Sequence, residues 1–283
     1  MSRDALGQPA GGLRVLLLAG TQEARELAAQ LAGEPGIATT ASLAGVTQAP
    51  AAYAVPLRLG GFGGTQGLAR HLLESGTHVL VDATHPFAAR ISANAQAAAA
   101  IAGVPLLRLE RPEWREEDEE RWRRVATVEA AADCLPTGAH VFLATGPGSL
   151  AAFARRPDLR LVLRAISAPV LPPHPDLKVE LARPPFEESD ERAMFARHDI
   201  THLVTKNAGG VSGRTKLAAA QALGLEVVMI DRPVPPPPLP PPPPPLPIPP
   251  VVATPFAALG WLRAYRTGKP SRALDNDGSR AAL

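Results

Sequence analysis

The sequence predicts an α/β protein with two domains, each built on a mostly parallel, doubly wound sheet. Three observations support this fold class. Short apolar runs of strand length alternate with segments of helical periodicity along most of the chain, which is typical of parallel α/β sheets. Many of these runs end in glycine, hydroxyl or charged residues, as strands do at the ligand-binding edge of such sheets. The length of 283 residues fits two domains of ordinary size.

The first half of the chain carries five predicted strands. The apolar run at 13–19 stops at Gly20, and residues 21–31 follow with apolar positions at helical spacing. Further strands are predicted at 37–41, 55–59, 78–82 and 104–109, and helices at 65–74 and 87–102. Segment 111–124 breaks the alternation with Pro112, two tryptophans and an acidic run, and is interpreted as a linker that ends the N-terminal domain, residues 13–125.

The alternation resumes in a C-terminal domain, residues 126–268. Its predicted strands are 139–144, 159–164, 201–205 and 226–230, and its helices are 149–154, 187–197 and 216–223. A last helix begins after Thr254 as N-cap, with Pro255 in its first turn. Residues 233–250 are almost all proline, which favours an extended polyproline conformation and suits either a docking arm or a loop expansion. Residues 1–12 and 269–283 are expected to be a disordered lead-in and tail.

Composition excludes several classes of function. The 29 Lys and Arg residues nearly balance 27 Asp and Glu, and aromatic residues make up 4%, so a nucleic-acid partner is not indicated. Cys134 is the single cysteine, which rules out an intrachain disulfide and a thiolate metal cage and fits a reducing cytoplasm. No apolar run reaches 18 residues and no signal peptide is evident, so we expect a cytoplasmic protein outside the membrane.

The ends of the first strands suggest a nucleotide site. Gly20 and Thr21 lie at a strand-to-helix turn, where free amide groups bind phosphate. Ser42 follows the second strand, and the lack of an acidic residue there favours NADP over NAD or marks an ordinary polar loop. The glycines of the segment 60–64, among them Gly61, Gly63 and Gly64, predict either a ligand-facing loop or a tight packing turn.

Two later strand ends carry reactive side chains. Asp82, Thr84 and His85 follow a buried strand, and Pro86 restricts the His85 backbone; the absence of a G-x-S-x-G elbow argues against a hydrolase triad. The segment 206–216 supplies an anion site at another strand end, or a solvated loop. Its predicted contributors are Lys206, Asn207, Gly209, Gly210 and Lys216.

These motifs in this order resemble the precorrin-6A reductase family of cobalamin biosynthesis. The resemblance rests on Gly-Thr-x-Glu-Ala-Arg at 20–25, Ser-Leu-Ala-Gly at 42–45, the glycine segment 60–64, Asp-Ala-Thr-His-Pro-Phe-Ala at 82–88, Lys-Asn-x-Gly-Gly at 206–210 and Met-Ile-Asp-Arg-Pro at 229–233. It implies two Rossmann-like domains with a cleft between them, in which NADPH reduces one double bond of a polycarboxylate tetrapyrrole to a CH–CH group. Val46 stands where many relatives would carry an arginine.

The resemblance also implies roles for individual residues. Asp82, Thr84, His85 and Lys206 become catalytic candidates. The cofactor-binding candidates are Gly20, Thr21, Ser42, Gly61, Gly63, Gly64, Asn207, Gly209 and Gly210. Arg25, Arg90 and Lys216 are counter-charges for substrate carboxylates. No protein-bound metal is expected, and product channelling to neighbouring enzymes of the pathway is possible.

Two other functions remain open from the sequence. One is an NADP-dependent oxidoreductase that acts on a different anionic substrate. The other is a nucleotide- or tetrapyrrole-binding module whose proline-rich arm at 233–250 recruits partners.

Overall fold

The structure is a computed structural model that describes residues 12–44, 52–117, 120–166, 168–170, 172–183, 185–211, 213–233 and 249–268. The chain divides into two compact units. Unit 1 comprises Met1–Arg111 together with Val234–Leu283, and unit 2 comprises Pro112–Pro233. The predicted disordered ends and most of the proline tract at 233–250 lie outside the described residues.

The strands in chain order are β1 (Leu13–Leu18), β2 (Ile37–Leu43), β3 (Leu57–Leu59), β4 (Val79–Asp82), β5 (Leu106–Leu109), β6 (Trp122–Val125), β7 (His140–Ala144), β8 (Arg160–Ala165), β9 (Leu177–Leu181), β10 (His202–Lys206), β11 (Glu226–Ile230) and β12 (Val251–Val252). The α-helices are α1 (Gln22–Ala32), α2 (Gly64–Glu74), α3 (Ala89–Ala102), α4 (Val128–Asp133), α5 (Leu150–Ala154), α6 (Glu188–Arg197), α7 (Thr215–Ala222) and α8 (Pro255–Arg266), and a 3₁₀ turn, Pro147–Ser149, precedes α5.

Unit 1 contains a parallel sheet in the order β12-β5-β4-β1-β2-β3. Alternate side chains of β1 are buried on opposite faces of the sheet, as expected for a strand that is covered on both sides. Leu13, Val15 and Leu17 pack with α1 and α8, whereas Leu16 and Leu18 pack with α2 and α3. The chain winds outward in both directions from β1, so the carboxyl ends of β1 and β4 form the reversal point where ligands bind in such sheets.

One row of residues paired from strand to strand, which we call the register row, crosses this sheet at its carboxyl edge. Arg58 on β3 pairs with Ser42 on β2, which pairs with Leu18 on β1. Leu18 pairs on its other side with Asp82 on β4, which pairs with Arg108 on β5. Because residues paired across neighbouring strands point to the same face, these five side chains lie on the α2 and α3 side of the sheet.

Unit 2 repeats this architecture with a second parallel sheet, in the order β6-β11-β10-β7-β8-β9. Phe142 of β7 packs edge-on against Phe195 of α6, with ring centroids 5.3 Å apart, in a core shared with α7. The reversal point here lies between β7 and β10. The predicted fold class, α/β with two Rossmann-like parallel sheets, is confirmed.

The structure differs from the predicted domain limits of 13–125 and 126–268. Strand β6, inside the predicted linker, pairs with β11 and belongs to unit 2. At the other end, β12 pairs with β5 and α8 packs on α1, so both complete unit 1. Thr254 is the N-cap of α8 as predicted, since its hydroxyl accepts a 3.1 Å bond from the Ala257 amide.

Candidate active site

The turn after β1 is open and is held from behind by one hydroxyl. The Thr21 side chain is buried, accepts a 3.1 Å hydrogen bond from the Ala24 amide and donates a 2.9 Å bond to the Ala83 carbonyl, which follows β4. Gly20 has φ +136°, and nothing lies within 4 Å of the position that a Cβ would take. The backbone of this turn is therefore accessible at the N-terminus of the eleven-residue helix α1.

Tyr53, which the sequence analysis did not single out, lies beside this turn. Its hydroxyl is buried and completes no hydrogen bond with the described residues, although Gly20 and Arg25 are its neighbours. Burial raises the pKa of Tyr53, and the positive charge of Arg25 opposes the rise. A buried hydroxyl without a partner is costly, so Tyr53 is suited to contact a ligand at the turn.

The glycine segment after β3 also faces open space. Gly60, Gly63 and Gly64 have φ values of +109°, +79° and +82°, and a Cβ on any of them, or on Gly61, would meet nothing within 4 Å. These glycines are thus required by backbone conformation and not by close packing. Of the two predicted interpretations, the ligand-facing loop fits the structure better.

Asp82 organises the loop after β4. Its side chain is 3% exposed, and one carboxylate oxygen accepts bonds from the Thr84 amide, at 3.1 Å, and the Thr84 hydroxyl, at 2.6 Å. The Thr84 hydroxyl also lies 3.4 Å from that of Ser92 on α3. Asp82 therefore fixes the position of Thr84 at the reversal point.

The His85 ring is oriented by its own loop. Its Nδ1 accepts a 3.2 Å hydrogen bond from the Phe87 amide, and its centroid lies 5.9 Å from that of Phe87. A ring nitrogen that accepts a bond carries no proton, so the neutral ring has its proton on Nε2. This geometry makes Nε2 of His85 a hydrogen-bond donor at its distal end.

Lys206 occupies the equivalent reversal point in unit 2. Its Nζ donates a 2.9 Å bond to the Thr145 carbonyl, which follows β7. Burial lowers the pKa of Lys206. Beside it, the Thr145 and Ser149 hydroxyls lie 2.5 Å apart, and Gly146 has φ +81° with open space at its Cβ position.

Asn207 has a packing role that the sequence did not predict. Its side chain is fully buried and holds the segment Pro112-Glu113-Trp114, which we call the tryptophan strap. Its Oδ1 accepts a 2.8 Å bond from the Trp114 amide, and its Nδ2 donates to the Trp114 carbonyl at 3.1 Å and to the Glu113 carboxylate at 3.3 Å. The amide group thus fixes the strap, and a contact of Asn207 with a cofactor stays a prediction.

The neighbouring glycines also serve this strap. Gly209 has φ +70°, and a Cβ there would overlap the Pro112 carbonyl oxygen. The Gly210 carbonyl accepts a 2.7 Å bond from the Trp114 indole. Lys216 lies 4.6 Å from the Trp114 ring centroid and donates a 2.8 Å bond to the Gly213 carbonyl. These residues therefore pack against the tryptophan strap, and their predicted contacts with a cofactor or a substrate stay predictions.

Arg25 and Arg90, the other predicted counter-charges, are both exposed in unit 1. Arg25 lies near Tyr53 at the α1 turn, and Arg90 is in the first turn of α3. Their contact with substrate carboxylates stays a prediction.

Within the described ranges, no three His, Cys, Asp or Glu side chains lie close enough together to hold a metal ion. The helices of the same ranges are all too short or too polar to cross a membrane.

Comparison with known proteins identifies the family. Residues 14–259 match the model of the family described as "Precorrin-6x reductase CbiJ/CobK". The chain belongs to the precorrin-6x reductase family. It is therefore an oxidoreductase, as predicted, and a reductase of this kind implies a nicotinamide cofactor.

Individual relatives of this reductase match over nearly their whole length. The precorrin-6A reductase of Rhodococcus erythropolis is 46% identical over 227 residues, which cover 79% of this chain and 91% of the relative. That of Rhodobacter capsulatus is 42% identical over 251 residues, with 88% and 95% coverage. A solved structure titled "CobK precorrin-6A reductase" is 41% identical, with a TM-score of 0.81 over 91% of this chain and 98% of that one.

The tryptophan strap of this reductase predicts different costs for alanine at two glycines of unit 2. Both have positive φ, but only Gly209 faces an overlapping atom. We expect Gly209→Ala to lower the free energy of unfolding by about 3 kcal/mol or more. Gly224→Ala, the matched control, has φ +66° and no atom of the described residues within 4 Å of its Cβ position, so it should cost only the backbone strain, roughly 1–2 kcal/mol. Urea denaturation followed by tryptophan fluorescence measures both, and equal losses would contradict the strap contact.

Proposed function

We propose that this protein reduces precorrin-6A to precorrin-6B with NADPH in cobalamin biosynthesis. The observation that carries the proposal is the match to proteins named precorrin-6A reductase along nearly their entire length. The substrate is then a polycarboxylate tetrapyrrole. A cytoplasmic location and channelling to other enzymes stay predictions, as does the expected cleft between the two domains.

Unit 1 has groups that suit a dinucleotide. The free amide groups at the start of α1 suit a pyrophosphate, because the helix dipole is positive there. Gly20 lets a ligand approach the backbone, and the buried Tyr53 hydroxyl lies beside the same turn. Ser42 lies at the end of β2, where the ribose is held in sheets of this order. NADPH bound in this way supplies a hydride.

The reaction also needs a proton, because hydride addition to one carbon of a conjugated macrocycle requires protonation at a neighbouring position. The candidates for the proton donor are the Nζ ammonium of Lys206 and, when its ring is protonated, the Nε2 of His85. Asp82 and Thr84 keep the loop that carries His85 in place. Lys206 also provides a positive charge for a substrate carboxylate. These side chains act mainly by orienting the substrate.

An anaerobic assay tests the proposal. Purified protein is mixed with metal-free precorrin-6A or its cobalt complex, and oxidation of NADPH or NADH is followed by absorbance with mass analysis of the product. We expect NADPH oxidation coupled to a gain of two hydrogens in at least one metallation state. Absence of turnover with either substrate form and either cofactor would refute the assignment.

Two substitutions test the roles of the two ring nitrogens of His85 one at a time. His85→Asn keeps an acceptor for the Phe87 amide and removes the distal donor, whereas His85→Gln keeps a distal donor. We expect the Asn variant to fold normally and to lose about tenfold or more in kcat. The Gln variant should keep more of the activity. Equal turnover of wild type and the Asn variant in the anaerobic assay would remove His85 from the reaction.

We expect Lys206→Met to weaken binding of the tetrapyrrole without lowering the stability of the protein. The KM for the tetrapyrrole is expected to rise about tenfold, since one charge-assisted contact is lost. Because burial lowers the pKa of Lys206, its charge opposes folding below the folded-state pKa, and this effect fades as pH rises through that pKa. Thermal unfolding at neutral pH should therefore show no loss of stability. Lys178→Met, at an exposed position on β9, is the control; a fall in Tm with unchanged KM would contradict the prediction.

A further inference from the structure

Arg58 lies at the outer end of the register row in unit 1. It precedes the last residue of β3 and pairs with Ser42, so it is two strands away from β1. Asp82 and Arg108 lie on the other side of β1 in the same row. In sheets of this order the adenosine half of a dinucleotide lies towards β2 and β3. Arg58 is thus on the adenosine side of the site.

The Arg58 guanidinium is held rigidly by neutral groups. Its Nη1 donates to the Ser42 hydroxyl at 3.4 Å and to the Gly60 carbonyl at 2.5 Å, and its Nη2 donates to the Gly61 carbonyl at 2.9 Å. Its Cζ lies 3.9 Å from the centroid of the Phe62 ring. A guanidinium has five N–H groups, so these bonds with described residues leave two for a further acceptor.

No carboxylate among the described residues pairs with Arg58. Other arginines of unit 1 differ: Arg108, Arg111 and Arg263 each lie 2.6 Å from a glutamate oxygen. The charge of Arg58 is felt nearby, because the pKa of His71 is lowered first by burial and then by the Arg58 charge. A fixed, partly buried and uncompensated cation is suited to a dianionic ligand.

The end of β2 points to the same kind of ligand. Residues 40–44, Thr-Ala-Ser-Leu-Ala, contain no acid. An acid there would hold the ribose hydroxyls of NAD and repel a phosphate. The Ser42 hydroxyl instead lies against Arg58, which places a cation and a hydroxyl together next to open glycine backbone.

We propose that Arg58 binds the 2′-phosphate of NADPH and thereby determines the preference of this protein for NADPH over NADH. This inference rests on the proposed function, because it assigns a specificity role within the same dinucleotide site. Val46, at the position where many relatives are expected to carry an arginine, lies outside the described residues.

Calorimetric titration of the full-length protein with NADP⁺ and NAD⁺ tests this without relying on turnover. We expect Arg58→Gln to raise the Kd for NADP⁺ at least thirtyfold and to change the Kd for NAD⁺ less than threefold. Arg58→Lys should lie between wild type and the Gln variant, because it keeps the charge but loses the planar fork. Arg70→Gln, at an exposed position on α2, is the charge-matched control and should change neither Kd.

Titration with 2′-AMP and 5′-AMP shows which phosphate position Arg58 recognises. In the Arg58 variants only the affinity for 2′-AMP should fall. Equal loss of NADP⁺ and NAD⁺ affinity would show that Arg58 merely holds the glycine segment, and it would overturn the inference. Wild-type protein that binds NAD⁺ as tightly as NADP⁺ would also overturn it while leaving a reductase intact. Failure of the wild type to bind any of the four ligands would instead refute the nicotinamide site itself. Thermal unfolding confirms that each variant is folded.

Discussion

The hydrogen bond from the Thr21 hydroxyl to the Ala83 carbonyl joins the two loops that part at the centre of the unit 1 sheet. After β1 the chain turns to one side and after β4 to the other, and this contact holds the two loops together with the 2.9 Å backbone bond from the Ala83 amide to the Leu18 carbonyl. The bond sets the start of α1 and the path of the loop that carries Thr84 and His85. Everything assigned to this site depends on that spacing being maintained.

Unit 2 solves the same geometric problem with a different chemical group. Lys206 donates to the Thr145 carbonyl at the equivalent place. A buried hydroxyl joins the loops without adding charge, whereas an ammonium joins them and also raises the local positive potential. The two sheets share their strand order but present different electrostatic surfaces at their reversal points, as expected if one holds phosphates through backbone amides and the other attracts carboxylates.

The central strands were predictable because burial on both faces turns them into apolar runs, as at Leu13–Leu18 and Val79–Asp82. The edge strands β6, β9 and β12 were not predicted. All three are short and partly exposed. Strands β6 and β9 contain charged residues, and β12 is only two residues long. Pairing of β6 with β11 joins residues about a hundred positions apart, which no local pattern reveals. The domain limits were wrong for the same reason.

For the site, the rule that ligands gather at the carboxyl ends of strands singled out Gly20, Thr21 and His85, and the structure puts them after β1 and β4 at the reversal point. The contacts of Asn207 and Gly209 with the tryptophan strap could not be predicted, because the strap lies far away in the sequence. Arg58 was not singled out, although it is the next-to-last residue of the predicted strand 55–59, just before the glycine segment. Its importance follows from its register with Ser42, and register is a property of the folded sheet.

The division of unit 1 into two chain segments has a consequence for how the protein is made. Residues Pro112–Pro233 are translated before β12 and α8 exist. At roughly 5–20 residues per second, the ribosome needs on the order of ten seconds or more to go from the end of β5 to the end of α8. During that interval the outer edge of β5 and the apolar side of α1 are uncovered in the nascent chain, and such edges invite wrong pairings. Unit 1 is therefore begun first and completed last.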